Sequence, residues 1–274
     1  FAAQASMNRL FRIKSLINYE IPTMARQANI STSQIHLSIV VYTQHVERDW
    51  HTLYESIVNH IEVCNNEQHR DWCTHNLDIH MVTKEQFLPY PINFLRNVSI
   101  RFCRAQWIML YDIDFILGRY IVADLLKAAT SMYRAQNRNM YIVPAFEYYF
   151  KRRLPPLLSS YGIQSETDYQ IPRTKRELLK GVKRGIIDMF HVWWPNGHAA
   201  TRYKTWYSIG DSSSGSDSGS SDGKPYRIGH QKHYEPYVFF PRIKYEEHYA
   251  HRNGALCDER FYNRGYNKVQ CYDE

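Results

Sequence analysis

The sequence predicts an α/β fold built on a mainly parallel sheet. Two observations carry this. Short β-branched and aromatic runs alternate with amphipathic stretches through the first half of the chain. The composition, 44% hydrophobic and 22% charged over 274 residues, is that of a globular chain able to bury a sizeable core. That excludes a disordered, collagenous or coiled-coil protein.

The elements follow in order. Residues 3–28 read mostly as a helix, with Leu10, Ile13, Leu16 and Ile17 at helical spacing. Ile35 to Thr43 is strand-like, and Trp50, Leu53, Tyr54, Ile57, Val58 and Ile61 mark a second helix from Asp49 to Val63. Leu77 to Val82 is a strand. Pro91 opens a helix reaching about Arg104, since proline suits a first helical turn. Trp107 to Tyr111 is a buried central strand ending in Asp112, Val122 to Ala135 a helix, and Met140 to Ala145 a strand. The second half is irregular and aromatic-rich. Residues 208–224, nearly all Ser, Gly and Asp, have too little apolar surface to order themselves and read as a flexible insertion.

No apolar run approaches the ~18 residues a membrane helix needs. Phe1 is no initiator Met, so a processed or truncated start is expected, with any leader or anchor upstream. The 34 Lys and Arg against 27 Asp and Glu favour acidic partners. Arg173, Lys175, Arg176, Lys180, Lys183 and Arg184 form one basic cluster, a solvated helix face or a patch for an acidic ligand. Five cysteines without a Cys-x-x-Cys pair argue against a zinc knuckle. Cys64 and Cys73 flank a short polar stretch and either close a loop in an oxidising compartment or stay free thiols.

The most informative site is Tyr111-Asp112-Ile113-Asp114. Two carboxylates just beyond a strand sit at the carboxyl edge of the sheet, where open α/β sheets bind ligands. As hard oxygen ligands they suit Mg2+ or Mn2+ bridging the phosphates of a nucleotide. The competing role is a turn or cap. The helix before this strand carries Asn93, Arg96 and Asn97 at i, i+3 and i+4, hence on one face. Beside a metal–diphosphate site that face suits phosphate or ribose recognition; otherwise it is simply solvated.

The run Tyr90-Pro-Ile-Asn-Phe-Leu-Arg-Asn, then Trp107-Ile-Met-Leu-Tyr-Asp-Ile-Asp, then Val143-Pro-Ala-Phe-Glu resembles the LARGE-type and beta-1,4-glucuronyltransferase family of glycosyltransferases. Gly197-His-Ala-Ala-Thr-Arg-Tyr-Lys-Thr-Trp, Tyr234-Glu-Pro-Tyr-Val, and Asp258-Glu-Arg-Phe with Gly265-Tyr-Asn-Lys-Val continue the likeness in the same order through residues 90–269. A looser likeness covers residues 2–42. The resemblance implies a GT-A-type, Rossmann-like fold, a UDP-sugar donor with glucuronic acid first, a glycan or glycoprotein acceptor, Mn2+ (or Mg2+), and inversion at the anomeric carbon. Asp112 and Asp114 would hold the metal, and Asn93, Arg96 and Asn97 would join them in binding donor. An inverting reaction needs a carboxylate to take the acceptor proton. Asp258 is expected there, with Glu259 second, although Asp also suits a helix N-cap. Glu147, His198 and Glu235 would lie on the acceptor side. Trp193, Trp194 and Trp206 would stack on sugars or, more simply, fill core.

On this reading residues 1–274 form one domain, with a nucleotide-sugar-binding half to residue 150 and an acceptor half from 151. The expected place is the lumen of the Golgi or ER, with a membrane anchor upstream. Asn29 and Asn97 open glycosylation sequons, of which only Asn29 should carry glycan, since Asn97 sits on the donor helix. Two departures stand out: a histidine that completes the metal site in many such folds would lie past Glu274, and the first sheet strand looks cut before Phe1. The alternative is a silent family member that binds glycans or partner proteins. A nucleic-acid-binding protein has only charge and aromatics in its favour, so no nucleic-acid partner is expected.

Overall fold

The computed structural model describes residues 1–43, 50–52, 55, 64, 67–83, 90–134, 140–148, 172, 174–209, 226–229, 231, 234–243 and 257. Strands β1 (Ala2–Ser6), β2 (Leu37–Thr43), β3 (Leu77–Thr83), β4 (Trp107–Asp112), β5 (Tyr141–Val143) and β8 (Tyr237–Pro241) form a six-stranded sheet in the order β3-β2-β1-β4-β8-β5. The first four are mutually parallel, and β8 runs antiparallel to β4 and β5. A small second sheet pairs β6 (Phe146–Tyr148) with β7 (Ile187–Met189). The mainly parallel α/β sheet matches the sequence expectation; the antiparallel strand drawn from the irregular second half was not foreseen.

Both faces of the sheet are covered, which explains why its strands are apolar on both sides. On one face Ala3, Ala5, Ile39, Val41, Met109, Tyr111, Tyr237 and Phe239 pack against α1 (Leu10–Ser15), a π-turn (Leu16–Glu20), α2 (Ile21–Ala28) and α5 (Ile121–Arg134). Between α2 and β2 the chain makes only a short turn, and α3 (Glu67–Asn76) leads directly into β3. On the other face, Leu95 and Ile100 of α4 (Ile92–Phe102) pack on Val40, Tyr42, Ala2, Ile108 and Leu110. Even-numbered residues of β4 therefore look toward α4. Asp112 inherits that direction.

One expectation is corrected, and one open alternative is decided. Residues 2–6 are a strand, not the start of a helix, and this strand lies within the chain between β2 and β4. Its alanines favour helix intrinsically, but they are almost fully buried, and the packing of two neighbours overrides propensity. Cys64 and Cys73 are joined in a disulfide, and the stretch leading to Cys73 is helical, in α3. The helix expected over 49–63 lies mostly outside the described residues. Of the Ser/Gly stretch, Ser208 ends α7 (Tyr203–Ser208) and residues 210–224 lie outside them. Of the basic cluster, Lys175, Arg176, Lys180 and Lys183 fall on α6 (Lys175–Lys183), capped by Thr174, whose hydroxyl accepts from the Glu177 amide; Arg184 follows at its C-terminus, and Arg173 lies outside the described residues. No helix among the described residues is long and apolar enough to cross a membrane.

Candidate active site

Asp112 closes β4 and faces α4. Its Oδ1 accepts from Arg96 Nη2 at 3.2 Å and from Gln4 Nε2 at 3.4 Å, while Oδ2 accepts from the Tyr237 hydroxyl at 2.8 Å. Gln4 is held in turn by the hydroxyl of Tyr90, which donates to its Oε1. Burial pushes the Tyr237 hydroxyl well above its ordinary range, and the Asp112 charge adds to this, so it stays a donor. Arg96 also donates to Asn93 Oδ1 at 3.1 Å. The polar face of α4 is thus buried, with Asn93, Arg96 and Asn97 at 0%, 2% and 4% exposure, and it is turned to the sheet end rather than to solvent.

Asp114 follows on the turn after β4. It pairs with Arg9 at 2.8 Å, and both side chains are about half exposed. The turn is shaped by a buried ion pair: Arg12 Nη1 meets Glu20 Oε1 at 2.8 Å, with side chains 4% and 7% exposed. Arg12 donates to the carbonyls of Ile113 and Phe115, and Glu20 Oε2 accepts from the Leu117 amide at 3.2 Å. Three backbone groups of residues 113–117 are therefore fixed by two side chains. Glu20 reaches them from a π-turn, an irregularity that often marks functional sites.

Asn97 turns its amide to Cys257: Nδ2 donates to the Cys257 carbonyl at 2.8 Å, and Oδ1 accepts from its N–H at 2.9 Å. Cys257 is itself disulfide-bonded. Asp258 and Glu259 come next in the chain and lie outside the described residues. Buried and so engaged, Asn97 is a poor glycosylation site, whereas Asn29 is exposed.

On the other side of Tyr237 the structure brings Glu147, His198 and Glu235 to one region. Glu147, on β6, accepts from the Val192 amide at 3.2 Å and so holds the turn that follows β7. His198 is buried, its ring stacked at 6.3 Å on Tyr237 and edge-on at 5.1 Å to Phe190. Glu235 is tied by its amide to the Gly197 carbonyl at 2.8 Å. Trp193 and Trp194 are exposed, against the expectation that they fill core, because they sit on this turn rather than on a packed element. Trp206 is partly buried beside Phe146 and under Lys175.

Asp112 and Asp114 offer the oxygen ligands that a hard divalent cation takes. Two carboxylates stand two residues apart at a strand end, one of them open to solvent, and a cation there would displace the guanidinium that each now faces. Sequence reasoning missed Gln4, Arg9, Arg12, Glu20 and Tyr237. For Tyr237 the signal was at hand in Tyr234-Glu-Pro-Tyr-Val, a strand start with a buried hydroxyl needing a partner.

Known proteins give this geometry a context. The family model described as a glycosyl-transferase for dystroglycan matches residues 13–273. The xylosyl- and glucuronyltransferase LARGE2s of Gallus gallus is 33% identical over 198 residues, 71% of this chain and 21% of its own length. The human xylosyl- and glucuronyltransferase LARGE1 is 31% identical over the same shares. The chain thus spans about a fifth of the curated relatives it matches. The crystal structure of S. aureus TarS 1-349 is more distant, 12% identical over 56% of this chain and 37% of its own, with a TM-score of 0.25. With residues 13–273 matched by this family model, the chain belongs to the family of glycosyl-transferases for dystroglycan.

Proposed function

We propose that this chain transfers a sugar, glucuronic acid first among candidates, from a UDP-sugar to a glycan acceptor, with inversion and with a divalent metal, Mn2+ or Mg2+. The observation that carries this reading is the pair Asp112 and Asp114 at the carboxyl end of β4, set against Arg96 and Arg9. What supports a glucuronyl donor is that the relatives' names print xylosyl and glucuronyl transfer. A metal held by Asp112 and Asp114 would neutralise charge on the departing diphosphate. Asn93, Arg96 and Asn97 line the donor side. In the transfer the acceptor hydroxyl oxygen bonds to the anomeric carbon, the bond from that carbon to the diphosphate breaks, and the hydroxyl proton passes to Asp258, or to Glu259. Glu147, His198 and Glu235 belong to the acceptor side of the same cleft. The disulfides suit an oxidising lumen, Golgi or ER, reached by an anchor elsewhere in the whole protein.

Calorimetric titration of UDP with and without Mn2+ tests the reading. Asp114→Asn keeps shape and removes a charged oxygen, so Mn2+-dependent affinity should fall more than tenfold, about 1.4 kcal/mol. Equal affinity in mutant and parent, or no metal effect in the parent, overturns the metal assignment. UDP release from UDP-glucuronate but not from UDP-xylose, given a glycan acceptor, tests the donor.

A further inference from the structure

We propose that His191, His198 and Glu235 form a second cation site, for a borderline divalent ion of the Zn2+ type, separate from Asp112 and Asp114. One ligand atom from each residue, two imidazole nitrogens and a carboxylate oxygen, lie within 4.8 Å of one another. Two imidazoles and one carboxylate are a donor set that zinc takes readily, whereas Mg2+ prefers oxygen alone.

The three ligands sit on cross-tied backbone. The Trp194 amide donates to the His191 carbonyl at 2.7 Å, the Gly197 amide to the Trp194 carbonyl at 3.2 Å, and the Glu235 amide to the Gly197 carbonyl at 2.8 Å. One chain of bonds therefore runs from the first ligand to the third. The His198 carbonyl accepts from the Thr201 amide at 3.0 Å. Phe190 stacks on the His191 ring at 3.8 Å and meets the His198 ring edge-on at 5.1 Å. From outside, Glu147 holds the His191 turn through the Val192 amide.

A tetrahedral zinc with bonds of about 2.0–2.1 Å separates its ligands by roughly 3.3 Å, so closure asks for movements on the order of an ångström. His191 can supply them, being exposed, while His198 is buried and Glu235 half-buried. Three protein ligands leave a fourth position for water or for an oxygen of a bound molecule. The site adjoins Tyr237, whose ring stacks on His198 and whose hydroxyl donates to Asp112. The ion would fasten the 191–198 loop to the lead into β8 and so brace the wall of the cleft that carries Tyr237.

The test uses the full chain, free of any histidine tag, stripped with chelator, and carrying Asp112→Asn and Asp114→Asn so that the donor-side carboxylates cannot contribute. Zn2+ alone is titrated calorimetrically, and Co2+ is added separately as a visible-absorption probe of nitrogen ligation. One ion per chain is expected, with affinity falling more than tenfold in Glu235→Gln and in His191→Asn, two changes that leave buried apolar packing intact. His198→Gln should abolish the Co2+ spectrum; if it unfolds, the other two variants still decide. No uptake of Zn2+, or uptake with unchanged affinity in both Glu235→Gln and His191→Asn, overturns the proposal. Because the donor carboxylates are absent throughout, failure here leaves the Asp112 and Asp114 reading standing, and the converse also holds.

Discussion

Asn97 and Cys257 are bonded to each other twice, side-chain amide to backbone amide, across 160 residues of sequence and in the buried core. One residue earlier on the same helix, Arg96 grips Asp112. A single turn of α4 therefore fixes both the first carboxylate of the Asp112 and Asp114 pair and the residue immediately before Asp258.

Asn97→Ala removes both side-chain bonds to the buried Cys257 N–H and carbonyl. Unpaired buried groups cost about 1–3 kcal/mol each. Urea unfolding should show a loss of at least 2 kcal/mol, and Asn97→Asp should be no better, since its second oxygen faces the Cys257 carbonyl. Transfer should fall more than UDP affinity does. Unchanged stability in both variants would remove the clamp from the account.

How much of this was legible beforehand depends on what kind of signal each residue carries. The strand ending in Asp112 was readable because its apolar run, bounded by charge, has one interpretation. The polar face of α4 was readable as a face, but whether it met solvent or a strand end could not be, because helical spacing does not say what lies opposite. Ala2–Ser6 misled because alanine's propensity is for helix and only burial between β2 and β4 makes it strand. Tyr237 reaches Asp112 through an antiparallel pairing of β8 with β4, joined across more than a hundred residues, and no local pattern encodes that. Arg12 and Glu20, eight apart, look like ordinary helix charges. Only the irregular π-turn brings both to the 113–117 turn.

That ion pair gives the next prediction. Glu20→Gln leaves the Arg12 guanidinium buried and uncompensated, a change that costs about 3–5 kcal/mol. Replacing both, as Arg12→Met with Glu20→Leu, should restore much of the melting temperature by removing the buried charge altogether. It should not restore Mn2+-dependent UDP binding, because the Ile113, Phe115 and Leu117 backbone groups lose their anchors. A double variant with parental UDP affinity would show that the turn needs no such support.

Alkaline pH should destabilise the fold in a way that Tyr237 helps to set. Burial raises the Tyr237 and Tyr111 hydroxyls well above 10, and pushes Tyr234 up to about 12. Raised folded-state values mean that the native state keeps protons which the unfolded chain sheds near pH 10. Stability is therefore full below that pH and falls as pH rises through it toward the folded values. Each such tyrosine contributes a slope of up to about 1.4 kcal/mol per pH unit. Tyr237→Phe should flatten the curve of unfolding free energy between pH 10 and 11.5 by roughly one such slope. An unchanged slope would mean that Tyr237 ionises in the native state as it does in the unfolded chain.

The last prediction concerns the proton. If Asp258 takes it from the acceptor, Asp258→Asn should leave UDP affinity nearly intact, because the base meets the acceptor hydroxyl and not the diphosphate. Turnover should drop by ~10² or more, the usual scale for a lost general base. Asparagine remains a good helix cap, so the substitution separates proton transfer from a capping role. A variant that melts early and loses UDP binding along with turnover would assign Asp258 to the cap. A stable variant with full turnover would move the role to Glu259. The comparison with Asn97→Ala sharpens it: loosening the residue before Asp258 should lower turnover in the same direction but by less, since the carboxylate is still present and only its placement is lost. If Asn97→Ala were as damaging to turnover as Asp258→Asn while stability held, placement and chemistry could not be told apart by rate. The pH profile would then decide, because the acidic limb set by the carboxylate should vanish only in Asp258→Asn.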